Sequence, residues 1–253
     1  MVAMRSEPTA IGVDIGEHNL YTACPVTMPD WTGAYVISGD AVCAHLDELR
    51  AQTAAHLASD TDRDTIRSAV TQHHAAIRAE IDDAARTICE YATAYDDPVL
   101  VTEDSNHEPD LWAWLTDPNA HRGTAWLLPA AHRRLRTVAA EYRLEVAAVP
   151  EPYSSLECHA CGVIGERVRS QTVCCPNPDC YVGGVYADCN AAKVLAQRYY
   201  PGQRCAYRPT RSAAPDQRHT GPDERHTGPA DRHATPDGRH AMLADGGRHE
   251  RDG

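Results

Sequence analysis

The chain has 253 residues, 42% of them hydrophobic, and a formal net charge of -12. That length supports one or two domains with a sizeable core. No apolar run approaches the roughly 18–20 residues that cross a bilayer, which excludes an integral membrane protein, and the N-terminus lacks the apolar core of a secretory signal, so a cytoplasmic location is expected.

The 24 basic residues are 23 Arg and a single Lys, Lys193, and Phe is absent. An acidic, Lys-poor chain rich in Ala, Asp and Arg fits the high-salt cytoplasm of a halophile with a GC-rich genome. Acidity argues against nucleic-acid binding, because phosphates repel it. In molar salt that argument weakens, since the Debye length falls to about 3 Å.

Ala10–Asp14 is a short β-type run that ends on an acid. Leu20–Val26 and Ala34–Ser38 read as two more strands, joined through Pro29, Asp30 and Gly33. Two helices follow. Val42, Leu46, Leu49 and Leu57 share a face of the first, and Ile66, Val70, Ile77, Ile81, Ile88 and Tyr95 share a face of the second. Core packing is the expected use of both stripes. Pro98–Thr102 is a buried strand ending at Glu103. A third helix runs from about Thr124 to Tyr142, and Leu144–Val149 is a strand stopped by Pro150. A cysteine-rich segment spans Tyr153–Val185, and Asp188 opens a last helix that runs to about Tyr199. Beyond it, Arg-His recurs every seven residues from 218–219 to 239–240 with almost no large apolar residue, which reads as a disordered, low-complexity tail. Residues 206–253 are charge-neutral, so the net charge falls on the part before them. The expected organisation is a mixed α/β core over 1–152, a zinc ribbon inserted at 153–185, a closing motif and helix at 186–205, and the tail at 206–253.

Four of the ten cysteines form two short pairs, Cys158-x2-Cys161 and Cys175-x4-Cys180, with 13 residues between them. Each pair can wrap one side of a tetrahedral zinc. Gly162 allows the tight turn after the second Cys. Cys174 competes with Cys175, and Cys175 is preferred because Pro176–Asp179 then forms a compact four-residue loop. Without an export signal a disulfide framework is not expected. Cys24, Cys43, Cys89, Cys189 and Cys205 are expected to be small core residues.

Three acids form a second pattern. Asp14 and Glu103 end strands 89 positions apart, and Asp188 starts a helix a further 85 on. Taken singly, Asp188 is a plausible helix cap and Glu103 one acid among 36. Together they can converge on one sheet edge, where two Mg²⁺ or Mn²⁺ ions would balance their charge and support phosphodiester cleavage.

Several segments carry a family resemblance. Ile11-Gly-Val-Asp14-Ile-Gly16-Glu-His-Asn-Leu20 resembles the first RuvC motif of the transposon-encoded TnpB (OrfB) family, compact relatives of the type V CRISPR effectors. Val99-Leu-Val-Thr-Glu103-Asp104 resembles the second. Glu151-Pro-Tyr153-Ser154-Ser155-Leu-Glu-Cys158-His-Ala-Cys161-Gly162 resembles the start of that family's zinc ribbon, and Ala187-Asp188-Cys189-Asn190-Ala191-Ala192 the third RuvC motif. The likeness covers roughly residues 9–199, with the motifs in family order. It implies an RNase H-like (RuvC) fold, Asp14, Glu103 and Asp188 as the catalytic, magnesium-binding acids, and a structural zinc on Cys158, Cys161, Cys175 and Cys180. It implies DNA as substrate, guide RNA as a partner and a link to transposition.

Family members carry a long N-terminal region that holds guide RNA, whereas 13 residues precede Asp14 here, so a version lacking that region, or one served by a separate N-terminal region, is expected. The family's basic richness is also absent. Arg133, Arg134, Arg136 and Arg143 near the third helix and Arg167 and Arg169 in the ribbon are the candidate phosphate contacts; a solvated helix face is the competing use of the first set. Trp112 and Trp114 are candidates for base stacking or for packing. A RuvC-like endonuclease is therefore expected, with a non-catalytic DNA- or RNA-binding remnant or regulator, and a zinc-ribbon protein-interaction module, as the competing functions.

Overall fold

The structure, a computed structural model, describes residues 7–200 apart from 60–61, 105–106, 118 and 169–170. The tail, Cys205 and Arg169 lie outside the described residues.

Five strands form the main sheet: β1 (Thr9–Asp14), β2 (Asn19–Pro25), β3 (Tyr35–Ser38), β4 (Pro98–Glu103) and β5 (Glu145–Val149), in the order β3-β2-β1-β4-β5. β1 pairs antiparallel with β2, and β2 with β3, whereas β4 runs parallel to β1 and β5 parallel to β4. This is the mixed RNase H-like sheet that the motif resemblance implies.

The central strands are apolar on both faces, and the two-residue period sorts their side chains. Ile11, Val13 and Leu100 join the larger core. Ala10, Val99 and Val101 face the other way, with Val149, Leu195 and Ala196. The larger core lies under α1 (Asp40–Ala58), α2 (Arg63–Ala92) and α4 (Leu128–Glu141), which contribute Leu46, Leu49, Ile77, Ile81, Ile88 and Leu135. α2 starts cleanly because Asp62 accepts from the N–H groups of Asp64 and Thr65. The apolar stripe of α1 stops early: Thr53 is buried, whereas Leu57 is 53% exposed.

Two features between β4 and α4 were not expected. A short helix, α3 (Leu111–Thr116), capped by Asp110, carries Trp114 into the core and leaves Trp112 55% exposed. A wide π-type turn over Gly123–Leu127 then leads into α4. Pro129 sits in the first turn of α4, where it has no N–H to give the normal helical bond.

The last helix, α5 (Ala187–Arg198), covers the opposite face of the sheet. Its small residues let it sit close to β1: a Cβ added at Gly12 would fall 1.8 Å from the carbonyl oxygen of Ala192. The chain's only lysine fixes the same helix from the side. Lys193 is buried, and its Nζ donates to the carbonyls of Pro25 at 3.0 Å, Val26 at 2.8 Å and Met28. A buried ammonium needs such partners, and three carbonyls use all three of its protons.

Between β5 and α5 lies a small module built on a second sheet, β6 (Glu166–Val168), β7 (Thr172–Cys174) and β8 (Val185–Tyr186), in the order β6-β7-β8. Its apolar cluster is slight: Cys158, Val173, Val182, Val185 and Ala187. α5 anchors it. Asn190 Oδ1 accepts from the His159 backbone N–H at 3.0 Å, and its Nδ2 donates to the Glu157 carbonyl at 2.7 Å. Arg198 pairs with Glu157 at 2.8 Å and donates to the carbonyls of Pro150 and Pro152.

Candidate nuclease centre and zinc ribbon

The sheet topology explains how distant acids come to line one cavity. β1 and β4 are parallel neighbours, so their C-terminal ends lie at the same edge, where α/β sheets place their sites. Asp14 and Glu103 each lie two residues beyond the paired Gly12 and Val101. The first turn of α5 reaches this edge and brings Asp188. All three acids line one cavity of about 280 Å³, together with Ser154, Glu151 and Arg167.

The cavity's electrostatics bear the marks of crowded negative charge. Burial pushes the Asp14 carboxyl well above the usual carboxylate range, and the charges of Asp188 and Glu103 push it further, with Arg167 opposing them. Glu103 is also raised, mainly by burial, against a hydrogen bond from the Ser154 hydroxyl. Asn19 Nδ2 donates to Asp188 Oδ2 at 2.8 Å. Ser154 and Asn19 thus fix the aim of two of the three carboxylates. Sequence reasoning picked out the acids and missed these two supports and Glu151, although all three stand inside the quoted motifs. Their side-chain partners are set by tertiary packing, which spacing along the chain does not reveal. The donor chemistry, carboxylate oxygens partly withdrawn from water, is that of a hard divalent ion, although the three carboxylates line one cavity without all coming within 4.8 Å of one another.

The second donor set is soft. The Sγ atoms of Cys158, Cys161, Cys175 and Cys180 all lie within 4.8 Å of one another. Cys158 and Cys180 are 3.8 Å apart, and Cys161 and Cys175 are 3.4 Å apart. A tetrahedral site with Zn–S bonds of about 2.3 Å has sulfur–sulfur edges of about 3.8 Å, so four thiolates here fit such an ion. Gly162 adopts φ 75°, the left-handed turn that an L side chain resists, and its N–H returns to the Cys158 carbonyl at 2.8 Å. Cys174 is the last residue of β7 and is not one of the four. Burial raises the Cys175 thiol to about 12, while at Cys161 hydrogen bonds overcome the opposing effect of burial and lower it to about 7.

The basic candidates scatter. Arg167 is exposed on β6 and lines the acidic cavity. Arg133 pairs with Glu108, and Arg134 pairs with Asp82 on α2. Arg136 is exposed and lines a separate cavity of about 410 Å³ with His132 and Arg133. Arg143 follows α4 with φ 60°. Trp114 stacks beneath the Arg50 guanidinium, 5.1 Å from the ring centre, inside the core.

Comparison with known proteins places these features in a class. Residues 131–195, which include α4 from Ala131 onward, the four clustered cysteines and Asp188, match the family described as Cas12f1-like, TNB domain. In fold, the chain is similar to a Cas12f1–sgRNA–target DNA complex solved by cryo-electron microscopy, with a TM-score of 0.57 at 12% identity over 79% of this chain and 52% of the other. It is likewise similar to a CRISPR-Cas12f ternary complex, with a TM-score of 0.52 at 13% identity over 78% and 40%. The chain thus spans about half the length of these proteins, or less. No curated protein matches it. The fold is RuvC-like, similar to that of the Cas12f effectors, and residues 131–195 carry the match to the Cas12f1-like, TNB domain. Among the described residues, no helix is long and apolar enough to cross a membrane.

Proposed function

We propose that the chain is a TnpB-like DNA endonuclease domain that hydrolyses phosphodiester bonds with Asp14, Glu103 and Asp188 as its metal-holding acids. The observation that carries this reading is the shared cavity at the C-terminal edge of β1 and β4. When bound there, a pair of Mg²⁺ or Mn²⁺ ions would supply an activated water and charge stabilisation for the leaving oxygen. The chain's own residues do the rest. Asn19 orients Asp188 and Ser154 orients Glu103. Arg167 is the cation nearest to hand for a scissile phosphate. Arg133, Arg134 and Arg136 make contacts with more distant phosphates, with Arg133 and Arg134 exchanging their carboxylate partners for DNA, and Arg169 is a further phosphate contact.

In this proposal residues 1–152 and 186–205 form the nuclease core, and 153–185 form a ribbon closed by structural zinc on Cys158, Cys161, Cys175 and Cys180. The ribbon is a separate, closed site, because four protein ligands leave no position for substrate. DNA and guide RNA are the partners, the setting is transposition, and the compartment is a salt-rich cytoplasm in which the net charge of -12 is screened.

The test is a cleavage assay on single- and double-stranded DNA, in low and molar salt, with and without guide RNA and a separately supplied TnpB-type N-terminal region. Cleavage is expected to require Mg²⁺ or Mn²⁺, to be stimulated by those additions, and to fall to background in Asp14→Ala, Glu103→Ala and Asp188→Ala. No cutting under any condition, with divalent binding at the three acids intact, overturns the nuclease reading in favour of a binding remnant.

A further inference from the structure

Away from both sites, the hairpin of α1 and α2 carries a third set of donors. His45 and Glu48 lie three residues apart on α1, so they share a face one helical turn long. His73 meets them from α2. Two imidazole nitrogens and one carboxylate oxygen all lie within 4.8 Å of one another. Both imidazoles are half-buried and Glu48 is exposed. Gln52, one turn further along α1, braces the set: its Nε2 donates to Glu48 Oε1 at 3.1 Å, and its Oε1 lies 3.1 Å from His73 Nε2.

We propose that His45, Glu48 and His73 form a transition-metal site, with zinc as its ion, that ties α1 to α2. The donor chemistry selects the ion. Imidazole favours zinc, nickel or copper over magnesium, whereas the acidic cavity offers oxygen alone, so the two sites discriminate between the same pool of ions. Two His and one carboxylate make a three-ligand zinc site whose fourth position is left to water. Ligand atoms around a tetrahedral zinc sit about 3.4 Å apart, and side-chain torsions of exposed Glu48 and the two rings close the remaining distance. Gln52 supplies the kind of outer hydrogen bond that holds a ligating imidazole in place. The site differs from the ribbon in effect: the hairpin already has an apolar interface through Leu46, Leu49 and Ile77, so metal here tightens a formed structure.

The experiment uses the full chain, with its ribbon loaded with zinc and excess metal removed, and follows thermal unfolding as Zn²⁺ or Ni²⁺ is added. An ion that binds only the folded hairpin should raise the midpoint by about 5–10 °C at a hundredfold excess over its dissociation constant. The rise should be absent in His45→Ala, His73→Ala and Glu48→Gln, each of which should also bind one metal equivalent fewer. Glu48→Gln alters an exposed helix position and leaves the fold intact, so it decides the matter if a histidine variant misfolds. The five histidines of the tail, four in the Arg-His repeat and His249 beyond it, add the same background to every variant. No rise in the unsubstituted chain, or an equal rise in Glu48→Gln, overturns the site.

Discussion

The core and the ribbon belong to one chain and are held together by different physics. The core buries a contiguous set of large aliphatic side chains from three helices and a five-stranded sheet, among them Ile77, Ile81, Ile88, Leu100 and Leu135. The ribbon offers three valines, the half-buried Leu156 and its cysteines. At about 25 cal/mol per Å² of apolar surface, the first can meet its conformational entropy and the second cannot. With the proposed zinc bound, apolar packing specifies one region and a ligand set the other, with α5 packed against both.

The sharpest way to break this comparison is to take the ribbon's ligands away. Cys161→Ser together with Cys180→Ser should abolish zinc binding and unfold residues 153–185, because structural zinc supplies roughly 10–16 kcal/mol of folding energy in small modules. Amide exchange should then show the ribbon open and β1, β4 and α2 still protected. Zinc content unchanged in that double variant would refute the ligand assignment.

A smaller but still large effect should come from the seat of α5. Gly12→Ala places a Cβ against the Ala192 backbone, which cannot yield without moving the helix. A loss of about 3 kcal/mol or more is expected, read as a lower denaturant midpoint. Because α5 anchors the ribbon through Asn190 and Arg198, zinc should also leave this variant more readily.

Acid should find the core through His132. Burial, with Arg136 adding to it, lowers this imidazole to about 4. Between about pH 6.5 and 4 the folded chain therefore binds fewer protons than the unfolded one. The stability this group affects is complete above about pH 6.5 and declines as the pH falls towards 4, by roughly 2–3 kcal/mol. His132→Leu should flatten that part of the stability profile, and an unchanged slope would assign the acid sensitivity elsewhere. The smallest effect belongs to Cys174→Ser, which should keep full zinc occupancy and change stability by less than about 0.5 kcal/mol. Loss of zinc in that variant would exchange Cys174 for Cys175 in the ligand set.

What could be read in advance follows the same division. β1 and β4 announce themselves as short apolar runs ending in acids, and α2 shows its buried face in Ile77, Ile81 and Ile88 at helical spacing. These are local patterns set by the geometry of one element. Leu57 had the right spacing and is exposed, because the last turn of α1 extends past the core that would cover it. The three strands of the ribbon, two or three residues each, are too short for alternation to register. α3 is six residues long, and its one strong signal, the pair of tryptophans, does not tell which ring goes inside. Within the acidic cavity, the carboxylates stood out through their positions at element ends. Asn19 and Ser154 gain their roles only from partners 169 and 51 positions away.

The hydrogen bond between Asn19 and Asp188 also orders events in time. A ribosome delivers Asp188 only 174 residues after Asp14. Until α5 emerges and docks on β1, the sheet edge carries two of its three acids, however well β1 to β5 have formed. The loop that must close is long, and its closure is slow relative to local helix formation. A nascent or prematurely terminated chain therefore has an incomplete centre, and the cutting ability proposed here arrives only with α5.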